Sequence, residues 1–456
     1  MNRKQLYWSY GGLFLLALVL RLVMAFFANC DGEIRTVRPD TAGYLTPARS
    51  LIAGTGYAST RRPPGLPVVA AAVFKCGGGV RTLSFLLAGV SALTVLLVSR
   101  AGYLYKGHAG GLTAGLLYAL NPTVLGNAPL LLTDTLAGIF AALQYIFFLE
   151  FYRRKQWWGF FACAGAAAVG TLIRPVNMLF ILPLIFLLLC MKGINWQKKV
   201  TAGVISLLLF ASIIFPWMLR NAMCGAGFCV DTNTGAMYHQ NGAMLLGEVS
   251  GRGYEFEKQR ILREQEELFQ DKVRFPDEKS REEYRINACK TLVKQHFFIW
   301  LKQQMNYQIL LPDVPSFLEC LGVTSSDRGT MAVLKEQGVA AAVRHYFGKN
   351  WLGIVAAVLP LIFIAGTTYA GALGQLILDV KQIRKNYMEL FIFAAFVYYY
   401  LFLPGAITAP RYQIPALPCM CVMAASAWLT AVEYFRNRRA GRCGDGNTEL
   451  TEADRS

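Results

Sequence analysis

Ten stretches of this chain, near 9–28, 82–104, 109–127, 129–149, 157–173, 177–191, 200–218, 351–374, 389–404 and 415–435, are almost wholly apolar. Lipid offers the backbone no hydrogen-bond partner, so a segment crossing it must satisfy its own amides, as a helix or a closed barrel does. About 20 apolar residues in a helix span the hydrocarbon core. The stretches therefore predict an all-α integral membrane protein with about ten transmembrane helices, the stretches 177–191 and 389–404 being short. Charged residues make up only 16% of the 456-residue chain, against about a quarter in soluble domains. The first stretch follows Arg3 and Lys4 but outruns a signal-peptide core and has no small-residue cleavage site, so it reads as a retained helix.

Charge placement sets the orientation. Lys and Arg concentrate at Arg3/Lys4, Arg100/Lys106, Arg153/Arg154/Lys155, Lys192/Lys198/Lys199, Lys381/Arg384/Lys385 and Arg436/Arg438/Arg439/Arg442, at alternate ends of successive stretches. The positive-inside bias makes that side cytoplasmic, with both termini on it. The segment 222–350 holds 16 Lys+Arg against 16 Asp+Glu, so the net charge of +17 lies elsewhere. The basic balance thus reports topology, and no aromatic-basic motif points to nucleic acid.

The expected organisation is an N-terminal membrane module (1–221, about seven spans) with a first outer loop at 29–81. An outer, mainly helical loop domain (222–350), a C-terminal membrane module (351–435, about three spans) and a polar, disordered cytoplasmic tail (436–456) follow. Residues 41–54 carry apolar positions at helical spacing and read as an interfacial helix. The stretch 254–272 alternates acids and bases as a solvated helix does, and 290–312 suits a helix in the headgroup layer. Outward-facing Cys30, Cys76, Cys224, Cys229, Cys289 and Cys320 have no pairing legible in their spacing, and the four histidines show no metal-ligand spacing.

Ionisable groups at or near membrane depth are costly, which makes them the candidates for function. Asp40, in RPDTAGY, is placed to accept a proton as general base. As an N-cap it would instead satisfy free helix amides, a role composition favours by roughly two to one. Arg61 and Arg62 precede the Pro64–Gly65 break, and planar guanidinium groups suit phosphate recognition; a solvated charge pair is the plain alternative. The first outer loop carries Arg35, Arg38, Arg49, Arg61, Arg62, Lys75 and Arg81 against Asp31, Glu33 and Asp40. That local excess, on the side the charge bias leaves poor in cations, asks for an anionic partner such as a lipid phosphate. Arg174, Arg220 and Arg411 occupy outer ends of spans beside Pro or aromatic residues, where snorkelling explains any one of them. Asp134, in LLLTDTLAG, reads as a second acid, a metal ligand or a cap, and Arg21 as the partner of a nearby carboxylate.

The motifs RPDTAGYLTPARSLIAGTGY (38–57), RRPPGLPVVAA (61–71), LLLTDTLAGIF (130–140), GTLIRPVN (170–177), PWMLRN (216–221) and APRYQIPALP (409–418), in that order, resemble the GT-C superfamily of polyprenyl-phosphate-sugar glycosyltransferases. The likeness is to the family 39 branch of protein O-mannosyltransferases and lipid A aminoarabinose transferases. The resemblance implies a GT-C-like bundle and a hexosyl or pentosyl transfer from a polyprenyl-phosphate-linked sugar to a hydroxyl on a lipid, glycan or protein acceptor. It implies Asp40 as catalytic base, Arg61, Arg62, Arg174, Arg220, Arg411 and Tyr412 around the donor phosphate, and Tyr44, Pro64 and Asp134 in the cavity. No cofactor is required on this reading, since arginines can neutralise a lipid monophosphate; a divalent metal is optional, and membrane lipids are the remaining partners. The orientation implies a bacterial plasma membrane or an internal eukaryotic membrane, and the absence of retention signals favours the former. The segment 222–350 matches no acceptor-binding domain. A transporter or lipid flippase without covalent chemistry is the main rival, but paired inverted halves with interrupted spans are missing from the pattern. A catalytically dead scaffold for envelope enzymes is a third reading.

Overall fold

The computed structural model describes residues 3–30, 34–232, 238–304, 307–323, 333, 337–347, 351–405 and 408–452; Asp31 and Glu33 of the first loop's charge count lie outside them. Among the described residues every regular element is helical. The first part runs α1 (Arg3–Ala28), α2 (Thr41–Ile52), α3 (Gly65–Lys75), α4 (Val80–Ala119), α5 (Pro122–Asn127), α6 (Asp134–Arg154), α7 (Trp157–Thr171), α8 (Ile181–Cys190) and α9 (Trp196–Met223). The polar segment holds α10 (Ala243–Ser250), α11 (Tyr254–Leu268), α12 (Glu278–Gln295), α13 (Phe297–Gln304), α14 (Val314–Cys320) and α15 (Val339–Phe347). The last part holds α16 (Trp351–Lys381), α17 (Ile383–Phe393), α18 (Tyr399–Phe402) and α19 (Leu417–Glu452).

Six helical segments are long and apolar enough to cross a bilayer unaided: Gln5–Ala28, Val80–Ala119, Asp134–Arg154, Trp196–Met223, Ile354–Lys381 and Leu417–Arg438. The expected figure of ten is not reproduced on that criterion, for three physical reasons. The α4 segment contains two of the expected spans, because Lys106 and Gly107 leave helical geometry and the chain doubles back. Small residues line the seam: a Cβ added to Gly102 would lie 2.5 Å from the Gly110 carbonyl, and one added to Gly115 would overlap Ser99 Oγ. The α7 and α8 helices have only 15 and 10 residues. The stretch 389–404 is interrupted by a π-helical turn at Ala394–Tyr398. The stretch 41–54 is helical as α2 and 254–272 as α11, where Arg260 pairs with Glu257 and Glu264. The stretch 290–312 is divided between α12, α13 and a 3-10 turn. Helix also continues through 436–452, where the sequence predicts disorder; extending an already packed helix needs no new nucleus.

The α4 hairpin is central, packing against α1, α6 and α19. Phe148, Phe151, Phe160, Phe180 and Phe396 are fully buried around it. Arg21 does not meet the expected carboxylate. Its fully buried guanidinium donates to Ser91 Oγ at 2.8 Å and to the carbonyls of Ala17 and Ala119 at 3.1 and 3.2 Å. It thereby caps the open carbonyl end of the α4 hairpin, where a cation also meets the negative end of the helix dipole.

The first outer loop is sewn onto this bundle by its backbone. Leu131 N–H donates to Thr36 O at 3.0 Å, and Thr41 Oγ1 donates to Leu131 O at 3.2 Å. Gly65 N–H donates to Leu172 O at 2.8 Å, and Thr232 N–H to Thr60 O at 3.0 Å. On the same side α14 packs on α5, where Asn127 donates to Asp313 at 2.7 Å and Asp313 N–H to Thr123 Oγ1 at 2.9 Å. The described cysteines are all unpaired.

Candidate active site

These backbone ties bring the ends of α2, α3, α6, α7 and α19 to one place. Asp40 occupies the N-cap position of α2, yet its side chain makes no capping bond. It accepts instead from Arg62 Nη2 at 2.8 Å, and Arg411 Nη2 lies 3.9 Å from its other oxygen. Arg411 Nε stands 3.6 Å from Asp134 Oδ2, and Arg174 pairs with Asp134 Oδ1. The result is an unbroken chain, Arg62–Asp40–Arg411–Asp134–Arg174. Tyr412 sits under it, with Arg174 4.5 Å and Arg411 5.3 Å above its ring. Tyr44 closes the other end: Arg62 donates to its hydroxyl at 3.2 Å and lies 4.8 Å over its ring.

Three guanidinium groups contact two carboxylates here, a local excess of one positive charge, with Asp231 and Asp313 acting on Arg62 and Arg411 from farther away. The two acids are not equivalent. Asp134 is 5% exposed and enclosed by cations, whereas Asp40 is 49% exposed and open to an incoming molecule. Arg411 Nε is buried and makes no hydrogen bond, its ion-pair partner Asp134 Oδ2 standing 3.6 Å away. A buried donor held that far from its partner gains from a ligand or water oxygen at hydrogen-bond range.

The sequence candidates divide cleanly. Asp40, Tyr44, Arg62, Asp134, Arg174, Arg411 and Tyr412 come together, with Asp134 joined to Asp40 through Arg411. Arg220 stands apart. Its donors go to Ser59 O at 2.7 Å, Asn221 Oδ1 at 2.8 Å and Tyr57 O, and it stacks on Tyr57 and Trp217. It fastens α9 to the loop that carries Arg62, and within that loop the Tyr57 hydroxyl donates to Arg62 O at 2.8 Å. Arg61 is exposed at the rim, and Pro64 caps α3 just behind Arg62.

Gly65 explains how Arg62 reaches Arg174's neighbourhood. A Cβ there would lie 2.9 Å from Leu172 O and 2.5 Å from an Ile173 side-chain carbon, so only glycine lets α3 rest on the backbone preceding Arg174. Gly65→Ala should cost about 1–3 kcal/mol of stability by overpacking, read as a lowered midpoint of thermal unfolding in detergent.

Two neighbours were not legible beforehand. Glu319 on α14 pairs with Arg38, tying the polar segment to the first loop. Asp231 follows the last residues of α9 and feels both Arg62 and Glu282. Burial pushes its carboxyl up to about 6, with Glu282 adding to the shift and Arg62 opposing it. A carboxyl held above its unfolded value takes up protons on folding, so its charged form is a cost that grows as pH rises from about 4 to about 6. Asp231→Asn should therefore raise the melting temperature at pH 7 while leaving it unchanged at pH 4, a comparison that a pH series of melts makes directly. No sequence signal marks Asp231, because neither its motif nor its spacing differs from a loop residue's.

Asp134 was also a candidate metal ligand. Arginines flank both its oxygens, and among the described residues no group of three His, Cys, Asp or Glu side chains could hold an ion. That donor set does not fit a divalent cation.

Residues 61–219 match the family model described as dolichyl-phosphate-mannose-protein mannosyltransferase, less than half of the chain. None of the curated proteins matches it by sequence. Ten chains of solved structures are similar, among them two from the following proteins. The archaeal oligosaccharyltransferase AglB from Archaeoglobus fulgidus, in complex with an inhibitory peptide and a dolichol-phosphate, is 15% identical with a TM-score of 0.51, over 96% of this chain and 52% of its own. ArnT from Cupriavidus metallidurans, bound to undecaprenyl phosphate, is 14% identical with a TM-score of 0.45, over 92% of this chain and 60% of its own. The chain thus spans little more than half the length of the solved proteins it matches. The family match and the shared fold agree with the resemblance to the GT-C glycosyltransferases, and the chain is an integral membrane protein of that fold.

Proposed function

We propose that this protein transfers a sugar from a polyprenyl-phosphate donor to an acceptor hydroxyl on the non-cytoplasmic face of the membrane, with inversion at the anomeric carbon. The supporting observation is the half-exposed Asp40 carboxylate held by Arg62 and Arg411, with Arg174 next along the chain of ion pairs and the buried Arg411 Nε making no hydrogen bond. The surplus positive charge complements the phosphate of a lipid-linked sugar, and the exposure of Asp40 leaves room for a hydroxyl.

In this mechanism the acceptor oxygen attacks the anomeric carbon as its proton passes to Asp40. The bond from that carbon to the phosphate oxygen breaks, and the electron pair leaves with the polyprenyl phosphate. Negative charge on the leaving group grows as the bond opens, and guanidinium groups already in position stabilise it without reorganising. Binding the phosphate also draws on arginines that otherwise hold Asp40, freeing the carboxylate to act as base. Arg62, Arg174 and Arg411 serve the phosphate, with Tyr412 fixing two of them and Arg61 at the rim; Arg220 serves by holding the loop. The charge bias favours an orientation with both termini cytoplasmic, and a bacterial plasma membrane is the setting we propose.

Purified protein incubated with radiolabelled polyprenyl-phosphate hexoses and pentoses and a membrane extract should yield a labelled lipid, glycan or protein, with and without chelator. Failure of every donor to label any fraction would refute the reading.

A further inference from the structure

The opposite end of the molecule carries a second cationic site. A cavity of about 510 Å³ lies between the turn joining α6 to α7 and the turn joining α8 to α9. Asp134 opens α6 and Arg220 lies late in α9, whereas the cavity sits at the far ends of both helices. Lys155, Lys192 and Lys198 line it with Phe151, Trp157 and Asn195, and among the described residues no carboxylate does.

The nearby acids are already taken: Glu150 pairs with Arg100 at 2.7 Å and Arg154 at 3.3 Å, and Glu389 with Arg153 at 2.9 Å. Lys155 and Lys192 instead lie 5.5 Å and 5.0 Å over the rings of Tyr152 and Tyr387. Each of the two turns joins a helix C-terminus to a helix N-terminus, so the helix dipoles oppose one another there and the lysines set the sign of the site. Three ammonium groups around one opening repel each other unless an anion joins them. Trp158 and Trp196, next in sequence to the lining residues Trp157 and Asn195, are 52% and 63% exposed, in keeping with aromatic residues at the headgroup level.

We infer that this cavity binds the phosphate headgroup of an anionic phospholipid from the same leaflet. The ammonium groups meet the phosphate. The faces of Phe151 and Trp157 meet the glycerol and upper acyl chain, contacts that a free phosphate ion would leave unused. Basic pockets between helices on the cytoplasmic side are suited to such headgroups.

Native mass spectrometry of the full-length protein, titrated with phosphatidylglycerol and phosphatidylcholine, tests this. The wild type should retain phosphatidylglycerol preferentially, and Lys155→Gln/Lys192→Gln/Lys198→Gln should lose roughly a hundredfold of that preference, about fivefold per lysine. The variant Lys381→Gln/Arg384→Gln/Lys385→Gln, on the same face, should keep it. Equal retention by the first variant, or equal loss by both, would overturn the inference. Displacement of the lipid by millimolar inorganic phosphate would make this a free-anion site and overturn it too. A rise in wild-type melting temperature with phosphatidylglycerol, but not with phosphatidylcholine or phosphate, makes the same test without a substitution.

Discussion

Replacing Asp40 with Asn should lower sugar transfer by about 10²- to 10⁴-fold, the contribution of a positioned general base, and leave the fold in place. Asn has the shape of Asp and still accepts from Arg62, but cannot take a proton from the acceptor hydroxyl. The fold should survive because Asp40 is half exposed and caps no helix amide. Partly solvated ion pairs contribute only up to about 1 kcal/mol, so the melting temperature should move little. Donor affinity should hold or improve, since removing one carboxylate raises the positive charge facing the phosphate. The discriminating measurement is therefore transfer rate beside donor binding. A variant that binds donor and transfers at the wild-type rate would place the base elsewhere, and one that loses donor binding would make Asp40 a phosphate-site organiser instead.

The bundle was legible in the sequence because lipid imposes its rule locally: each span must be apolar and helical by itself, so no distant contact is needed to recognise it. The places where that reading failed are those where local composition does not set the outcome. The segment 109–127 is continuously apolar, yet Asn121 accepts from Thr123 N–H and Val124 N–H and Pro122 follows, so the helix ends at Ala119 and restarts as α5. The polar segment 222–350 gave up α11 through its charge pattern but not the docking of α14 on α5, which depends on a long-range fit. Phe317 packs where a Cβ on Gly126 would lie 2.6 Å from its backbone nitrogen. Most of the candidate site was visible because charge at membrane depth is conspicuous. Which arginines converge was not, since Arg220 looks like Arg174 in sequence and differs only in finding backbone carbonyls as partners. Likewise Arg21 meets carbonyls and a serine where an acid was expected.

The largest effect on stability should come from Asp134→Asn. Asp134 is almost fully buried between Arg174 and Arg411, and removing one member of a buried ion pair leaves charges that neither water nor a partner compensates, at about 3–5 kcal/mol. The two guanidinium groups would also repel each other. At a separation of about 4 Å, like charges interact with about 4 kcal/mol near a protein surface, enough to splay Arg174 and Arg411 off the Tyr412 ring. Transfer should fall along with stability, through lost donor affinity more than through the chemical step. Arg174→Gln in the same background separates the causes: the double variant removes a charge of each sign and should recover part of the lost stability without recovering donor affinity. Thermal unfolding of wild type, both single variants and the double variant closes the cycle, and a coupling energy near zero would show that Asp134 does not organise the arginines. A single Asp134→Asn variant that melts with the wild type would mean the same, since the unpaired guanidinium groups would then have found water.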